Sequence, residues 1–186
     1  MERIEHAPNI WTIPGFRDRS SCLDLIIHSE KLGYEQAKVN TSKGARRIES
    51  VRNNDRVIFT DHDLAAELWR EARAFIPERI GASVAIGLNE LFRFYRYTPG
   101  QQFRRHRDES YIRNEKEASY FTFMIYLNDG YSGGNTTFNA ITIRPSAGMA
   151  LIFLHDLEHS GDAVTTGIKY VLRTDVMYRL DDNIRS

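Results

Sequence analysis

The residues with the most chemical content are His106, Arg107 and Asp108. In an extended strand, side chains two apart point to one face. The imidazole of His106 and the carboxylate of Asp108 then converge on one point, while Arg107 turns away. His159, well downstream, closes a third corner. Two histidines and one carboxylate can hold one face of a metal and leave three positions free for other ligands. Nitrogen and oxygen donors without thiolate suit iron(II), and zinc or manganese can take the same atoms. His155 competes for the third place, because His155-Asp-Leu-Glu-His159 would align both histidines on a helix. The segment follows an apolar strand and precedes Ser160-Gly161, which favours a loop and therefore His159.

The elements that must carry these side chains change character along the chain. The first third reads as mainly helical. Ile10-Trp11-Thr12-Ile13 is a short strand before a turn at Pro14-Gly15. Ser20 or Ser21 can cap a helix with Leu23, Ile26 and Ile27 on one face, and Asp61 or Asp63 a second helix ending before Pro77. Residues 40–54 are polar and read as a long loop, in which Arg47, Arg52, Asn53 and Asn54 could meet a substrate. Beyond Gly81, alternating runs at 91–97 and 120–126, an apolar run at 149–153 and a β-rich run from Lys169 to Tyr178 are separated by Gly, Pro and Asn turns. Helices followed by many short strands predict a β-sandwich or barrel with helices packed outside. Residues 1–186 are expected to form a single domain, with 1–80 as mainly helical support and 81–180 as the β core carrying the site. The charged stretch 109–117 reads either as a solvated loop or as a lid.

Bulk properties remove several classes. Among 186 residues, 25 basic and 25 acidic side chains cancel, which argues against a protein that grips nucleic-acid phosphates. The basic positions Arg93, Arg96, Arg104, Arg105 and Arg107 read as solvated strand edges rather than a binding patch. Cys22 is the one cysteine, so neither a disulfide framework nor a thiolate metal cluster is available. No apolar run is long enough for a membrane helix, and the charged N-terminus lacks the apolar core of a signal peptide. These features predict a cytoplasmic protein.

An ordered set of motifs adds to this reading: Tyr97-Thr-Pro-Gly before His106, then Tyr126-Leu-Asn-Asp-Gly, Gly133-Gly134, Pro145-Ser-Ala-Gly-Met-Ala-Leu-Ile-Phe153, and His159 through Gly167 to Lys169-Tyr. Together they resemble the prolyl 4-hydroxylase-like branch of the 2-oxoglutarate/iron(II) oxygenases, from Trp11 to Tyr178. The resemblance implies a double-stranded β-helix, or jelly roll, flanked by helices. It implies iron(II) on His106, Asp108 and His159, with 2-oxoglutarate and dioxygen as co-substrates. Lys169, ten residues past His159, would pair with the distal carboxylate of 2-oxoglutarate, helped by the Tyr126 hydroxyl. Tyr97 would lie near the co-substrate's metal-binding end. Arg173 shares Lys169's strand face and is the rival anchor. Iron, Asp108, a dianionic co-substrate and Lys169 together carry no net charge, as a buried pocket requires.

The activity expected is hydroxylation of an unactivated C–H bond, of an amino-acid residue in a protein or peptide. The alternatives are a hydroxylase of a free amino acid or small metabolite, a cupin-type dioxygenase without 2-oxoglutarate, and a non-catalytic binding module. Lys169 with Tyr126 speaks against the cupin reading, and the complete ligand set speaks against the binding module.

Overall fold

The computed structural model describes residues 1–36, 39–41, 44–46 and 53–181. Two antiparallel sheets face one another. The larger sheet runs, in order, Ile4–Ala7, Ile10–Ile13, Ala150–Leu154, Glu117–Tyr126, Lys169–Leu180, Leu91–Tyr97, Asp55–Thr60 and Glu35–Gln36. The smaller runs Phe103–His106, His159–Gly161, Thr136–Thr137 and Thr142–Ile143. The fold is a jelly roll, mainly β with flanking helices, in agreement with the sequence.

Period-two alternation divides the large sheet into two environments. Phe92, Phe94, Phe121, Phe123, Ile125, Ile152, Leu172 and Val176 face the helices and form one core. Each large side chain fully buried this way contributes about 1.5–3 kcal/mol. Their neighbours in sequence point the other way, between the sheets, where Tyr95, Tyr97, Leu151, Phe153 and Val171 form a second core. The side chains of the site belong to this inner layer.

Helix Arg19–Leu32 packs on the outer face. Its cap is Asp18, whose side chain accepts from the Ser21 backbone N–H at 2.7 Å, so neither Ser20 nor Ser21 serves. The expected apolar face is also rotated: Leu23 and Ile27 are exposed, whereas Cys22 and Ser29 are buried with Ile26 packed beside them. Cys22 is a core filler, as its small apolar character suggests. Helix His62–Ala72 is capped by Asp61, which accepts from Leu64 at 2.9 Å.

The N-terminal third is less helical than its sequence suggests. Ile10–Ile13 pairs with Ala150–Leu154, and Asp55–Thr60 pairs with Leu91–Tyr97, so both extend the large sheet. All four residues Ile10–Ile13 are buried, because both faces of this strand are covered. Within 40–54, expected as a loop, Val39–Thr41 pairs with Gly44–Arg46. Arg47 and Arg52 lie outside the described residues. Asn53 ties this region to the turn at 100–102, accepting from Gln102 N–H at 2.8 Å.

Candidate active site

His106 is the last residue of the Phe103–His106 strand and lies directly opposite His159 in the register of the small sheet. Asp108 sits just beyond the strand end, not on the strand, and its backbone N–H donates to the His155 carbonyl at 3.1 Å. The convergence expected from strand alternation is nevertheless reached. One ligand atom from each of His106, Asp108 and His159 lies within 4.8 Å of the others. His106 Nε2 is 3.7 Å from Asp108 Oδ1, and His159 Nε2 is 3.8 Å from Oδ2.

The histidine tautomers suit a metal. His106 Nδ1 donates to the Arg104 carbonyl at 2.7 Å, and His159 Nδ1 to the Leu157 carbonyl at 3.0 Å. Each Nδ1 proton is thereby held by backbone, leaving an Nε2 lone pair aimed at the Asp108 side. Burial lowers the His159 pKa to about 4, only partly offset by Asp108, so this imidazole is neutral at physiological pH. Burial opposes the charge on Asp108, but Arg173 above all, with His106 and His159, holds the carboxyl well below its ordinary range. Two imidazoles and one carboxylate form a donor set fit for iron(II).

These groups line a cavity whose walls include Tyr95, Tyr97, Phe103, Met124, Phe153 and Val171. Lys169, 3% exposed, also lines it. Its ammonium donates to the Gly134 carbonyl at 2.6 Å and lies 5.4 and 5.1 Å from the ring centres of Tyr97 and Tyr126. Among the described residues no carboxylate reaches it within ion-pair distance. Burial lowers its pKa to about 7, with Asp162 opposing from farther away. A buried cation without a counter-ion is costly unless an anion arrives. A dianionic co-substrate with one end at the metal corner and the other at Lys169 fits this arrangement.

Arg173 is placed differently. Its guanidinium lies 3.3 Å from Asp108 and 3.1 Å from Asp175, and Asp175 is shared with Arg93 at 3.3 Å. Burial opposes its charge, but Asp108 and Asp175 outweigh that and raise its pKa. Arg173 therefore neighbours the metal corner rather than competing with Lys169 at the far end. Tyr126 is fully buried, and its hydroxyl is bonded to Thr136 Oγ1 at 2.7 Å. Thr136 lines the cavity, so Tyr126 braces the wall from behind. His155 stands apart from the three-residue group: its ring contacts Ser119 and Thr122, and burial lowers its pKa. None of residues 109–117 lines the cavity. Instead Ile112–Asn114 pairs back onto Glu117–Tyr126.

Sequence reasoning passed over Thr122, Thr136, Phe103, Met124 and the Gly134 carbonyl. The Gly133-Gly134 pair was the available signal for the last. Gly134 has φ +65°, and a Cβ there would meet Lys169 Cδ at 3.1 Å.

Fold and site define a jelly-roll protein with a two-histidine, one-carboxylate group beside a buried lysine. Residues 92–174, the segment that carries the site, match the model of the 2OG-Fe(II) oxygenase superfamily, so the chain carries an oxygenase domain of the class that works with iron(II), 2-oxoglutarate and dioxygen. No curated protein matches the chain. Among solved structures, a viral collagen prolyl hydroxylase from Paramecium Bursaria Chlorella virus-1, in a 2-oxoglutarate complex, superposes with TM-score 0.65 at 21% identity, covering 92% of this chain and 96% of its own. A Pseudomonas putida prolyl-4-hydroxylase gives 0.66 at 16%, covering 90% and 92%. A Trichoplax adhaerens prolyl hydroxylase, bound to a fragment of the hypoxia inducible factor oxygen degradation domain, gives 0.69 at 14%, covering 94% and 84%. At these identities the likeness is one of fold. No helix among the described residues is long and apolar enough to cross a membrane.

Proposed function

We propose that this single-domain oxygenase hydroxylates an amino-acid residue, a proline by analogy of fold, in a protein or peptide of the cytoplasm. His106, Asp108 and His159 hold the iron, and Lys169 receives the distal carboxylate of 2-oxoglutarate. The observation that carries the reading is one cavity with the three-ligand corner and an unpaired buried ammonium among its lining. Iron with 2-oxoglutarate and dioxygen supplies the oxidising chemistry, yielding succinate, carbon dioxide and a hydroxylated carbon.

The chain's own residues supply placement. The two imidazoles present Nε2 because backbone carbonyls hold their Nδ1 protons. Asp108 stays anionic beside Arg173. Lys169 fixes one end of the co-substrate, with Tyr97 beside it. Phe103, Met124, Phe153 and Val171 exclude water from the reacting centre.

A free amino acid would need a second unpaired cation for its own carboxylate. Arg173 is already paired with two carboxylates, and Arg104 is exposed on the smaller sheet. That favours a peptide, whose backbone carries no such charge. The unpaired Lys169 speaks against a cupin-type reaction, and the complete donor set against a binding module. The test is a peptide and metabolite panel in which succinate release is coupled to a mass gain of one oxygen atom. Oxygen insertion into a peptide residue is expected. Insertion confined to free amino acids or metabolites would overturn the substrate assignment.

A further inference from the structure

Asp108 lies beyond the strand end, so regular pairing does not fix its side chain. Each of its oxygens has a separate tether. Oδ1 faces Arg173, and Oδ2 accepts the Thr122 hydroxyl at 2.5 Å. Behind Thr122 lies a buried chain of polar groups. Thr122 Oγ1 is 3.0 Å from His155 Nδ1, His155 Nε2 is 2.9 Å from Ser119 Oγ, and Ser119 Oγ accepts the Tyr111 backbone N–H at 2.8 Å.

The direction of every bond in this chain follows from its two ends. An ionised carboxylate can only accept, so the single hydroxyl proton of Thr122 goes to Asp108. Thr122 must then accept from His155, which places a proton on Nδ1. At the other end a backbone N–H can only donate, so Ser119 accepts it, and a ring whose one proton sits on Nδ1 takes the Ser119 hydroxyl proton at Nε2. That nitrogen carries no proton. Asp175 is 3.9 Å away, beyond hydrogen-bond reach; its charge favours a second proton on the ring, but burial outweighs it. The His155 carbonyl meanwhile accepts the Asp108 backbone N–H at 3.1 Å.

We propose that His155 is a positioning residue for the Asp108 carboxylate, acting as the Nδ1-protonated tautomer through Thr122. His155 thereby holds Asp108 by backbone and side chain together. It also joins the residues after Asp108, through Tyr111 and Ser119, to the metal corner. The inference rests on Asp108 being a metal ligand. A buried histidine that merely fills space would need no particular tautomer and would favour no particular amide replacement.

Two measurements on the whole protein decide it. Nitrogen-15 NMR of the histidine rings, on metal-free and zinc-loaded protein, should report a proton on His155 Nδ1 and none on Nε2. Manganese(II) affinity, read from the free-ion electron paramagnetic resonance signal, should separate the variants. Asn places its amide nitrogen near Nδ1 and Gln near Nε2, so His155→Asn should stay within about threefold of wild type, while His155→Gln should lose about tenfold or more. Thr122→Val should lose a similar factor, and Thr122→Ser should recover it. A proton on Nε2, equal affinities for the Asn and Gln variants, or full affinity in Thr122→Val would overturn the proposal. If His155→Gln fails to fold, the Thr122 pair and the ring spectra still decide. Wild-type protein that binds no manganese would instead refute the metal assignment of Asp108, whatever the tautomer.

Discussion

Lys169 and Arg173 lie on one strand and one face, four residues apart, the first buried and the second nearly so, and both line the same cavity. Arg173 has Asp108 and Asp175 within ion-pair distance, whereas Lys169 has a backbone carbonyl and two aromatic rings. The protein has thus completed one cation and left the other for a ligand. A guanidinium can bridge two carboxylates with its planar fork, while an ammonium is a compact charge that meets one anionic group end-on.

The contrast is broken most severely at Arg173. Arg173→Ala leaves two carboxylates buried without their shared cation, and breaking such a pair costs about 3–5 kcal/mol. The melting temperature should fall by on the order of 10 °C, and manganese affinity should fall with it. Thermal denaturation of the metal-free protein checks the first, and metal titration the second. An unchanged melting temperature would show that Arg173 is not the completed cation.

Lys169→Met should do the opposite. Removing an unpaired buried charge should raise the melting temperature of the ligand-free protein while leaving manganese affinity intact. The KM for 2-oxoglutarate should rise by about tenfold to over a hundredfold, from loss of a charge-assisted bond worth about 1.5–3 kcal/mol. Steady-state kinetics on the two variants should therefore separate them, and equal KM shifts would erase the contrast.

Proton linkage sharpens it further. Lys169 titrates at about 7 in the folded, ligand-free protein and at about 10.4 when unfolded. Between these values the unfolded chain binds the extra proton. This group therefore makes the ligand-free protein more stable as pH rises through that window, and the gain is lost as pH falls through 7. Binding a dianion draws the proton back, so 2-oxoglutarate affinity should weaken as pH rises above about 7. Calorimetry in buffers of different ionisation heat should record the proton uptake, and Lys169→Met should abolish it.

The smallest effect is expected at Gly134. An alanine there is strained at φ +65° and presses on the Lys169 stem, at a cost of about 1–3 kcal/mol. Gly134→Ala should lower stability modestly and raise the KM for 2-oxoglutarate a fewfold. A variant at position 134 that left both unchanged would show that this carbonyl does not set the ammonium.

The parts of this arrangement that were legible in the sequence are those carried by local periodicity. Alternation in 91–97 and 120–126 divides the inner from the outer face, and the spacing of His106 and Asp108 brings them together even though Asp108 falls outside the strand. What sequence could not reveal depends on cross-strand register. Arg173 stands opposite Arg93 and Met124, and only that pairing shows Asp175 bridging two arginines. The Tyr126 hydroxyl, expected at the co-substrate, is bonded to Thr136 on the opposing sheet, a contact only the strand pairing reveals. Helix Arg19–Leu32 buries Cys22 rather than Leu23 because the face is chosen by the sheet beneath it, not by the helix pattern. His155 sits in a helix-like spacing with His159, yet the turn between them sends its ring to Ser119 and Thr122.

The most direct test of the central claim is calorimetric titration of 2-oxoglutarate into manganese-loaded and metal-free protein, in wild type and in Lys169→Met. One equivalent should bind the metal-loaded wild type, with binding greatly weakened when either the metal or the lysine is removed. Equal binding with and without metal, or binding indifferent to Lys169, would contradict a co-substrate held between the two ends of this cavity.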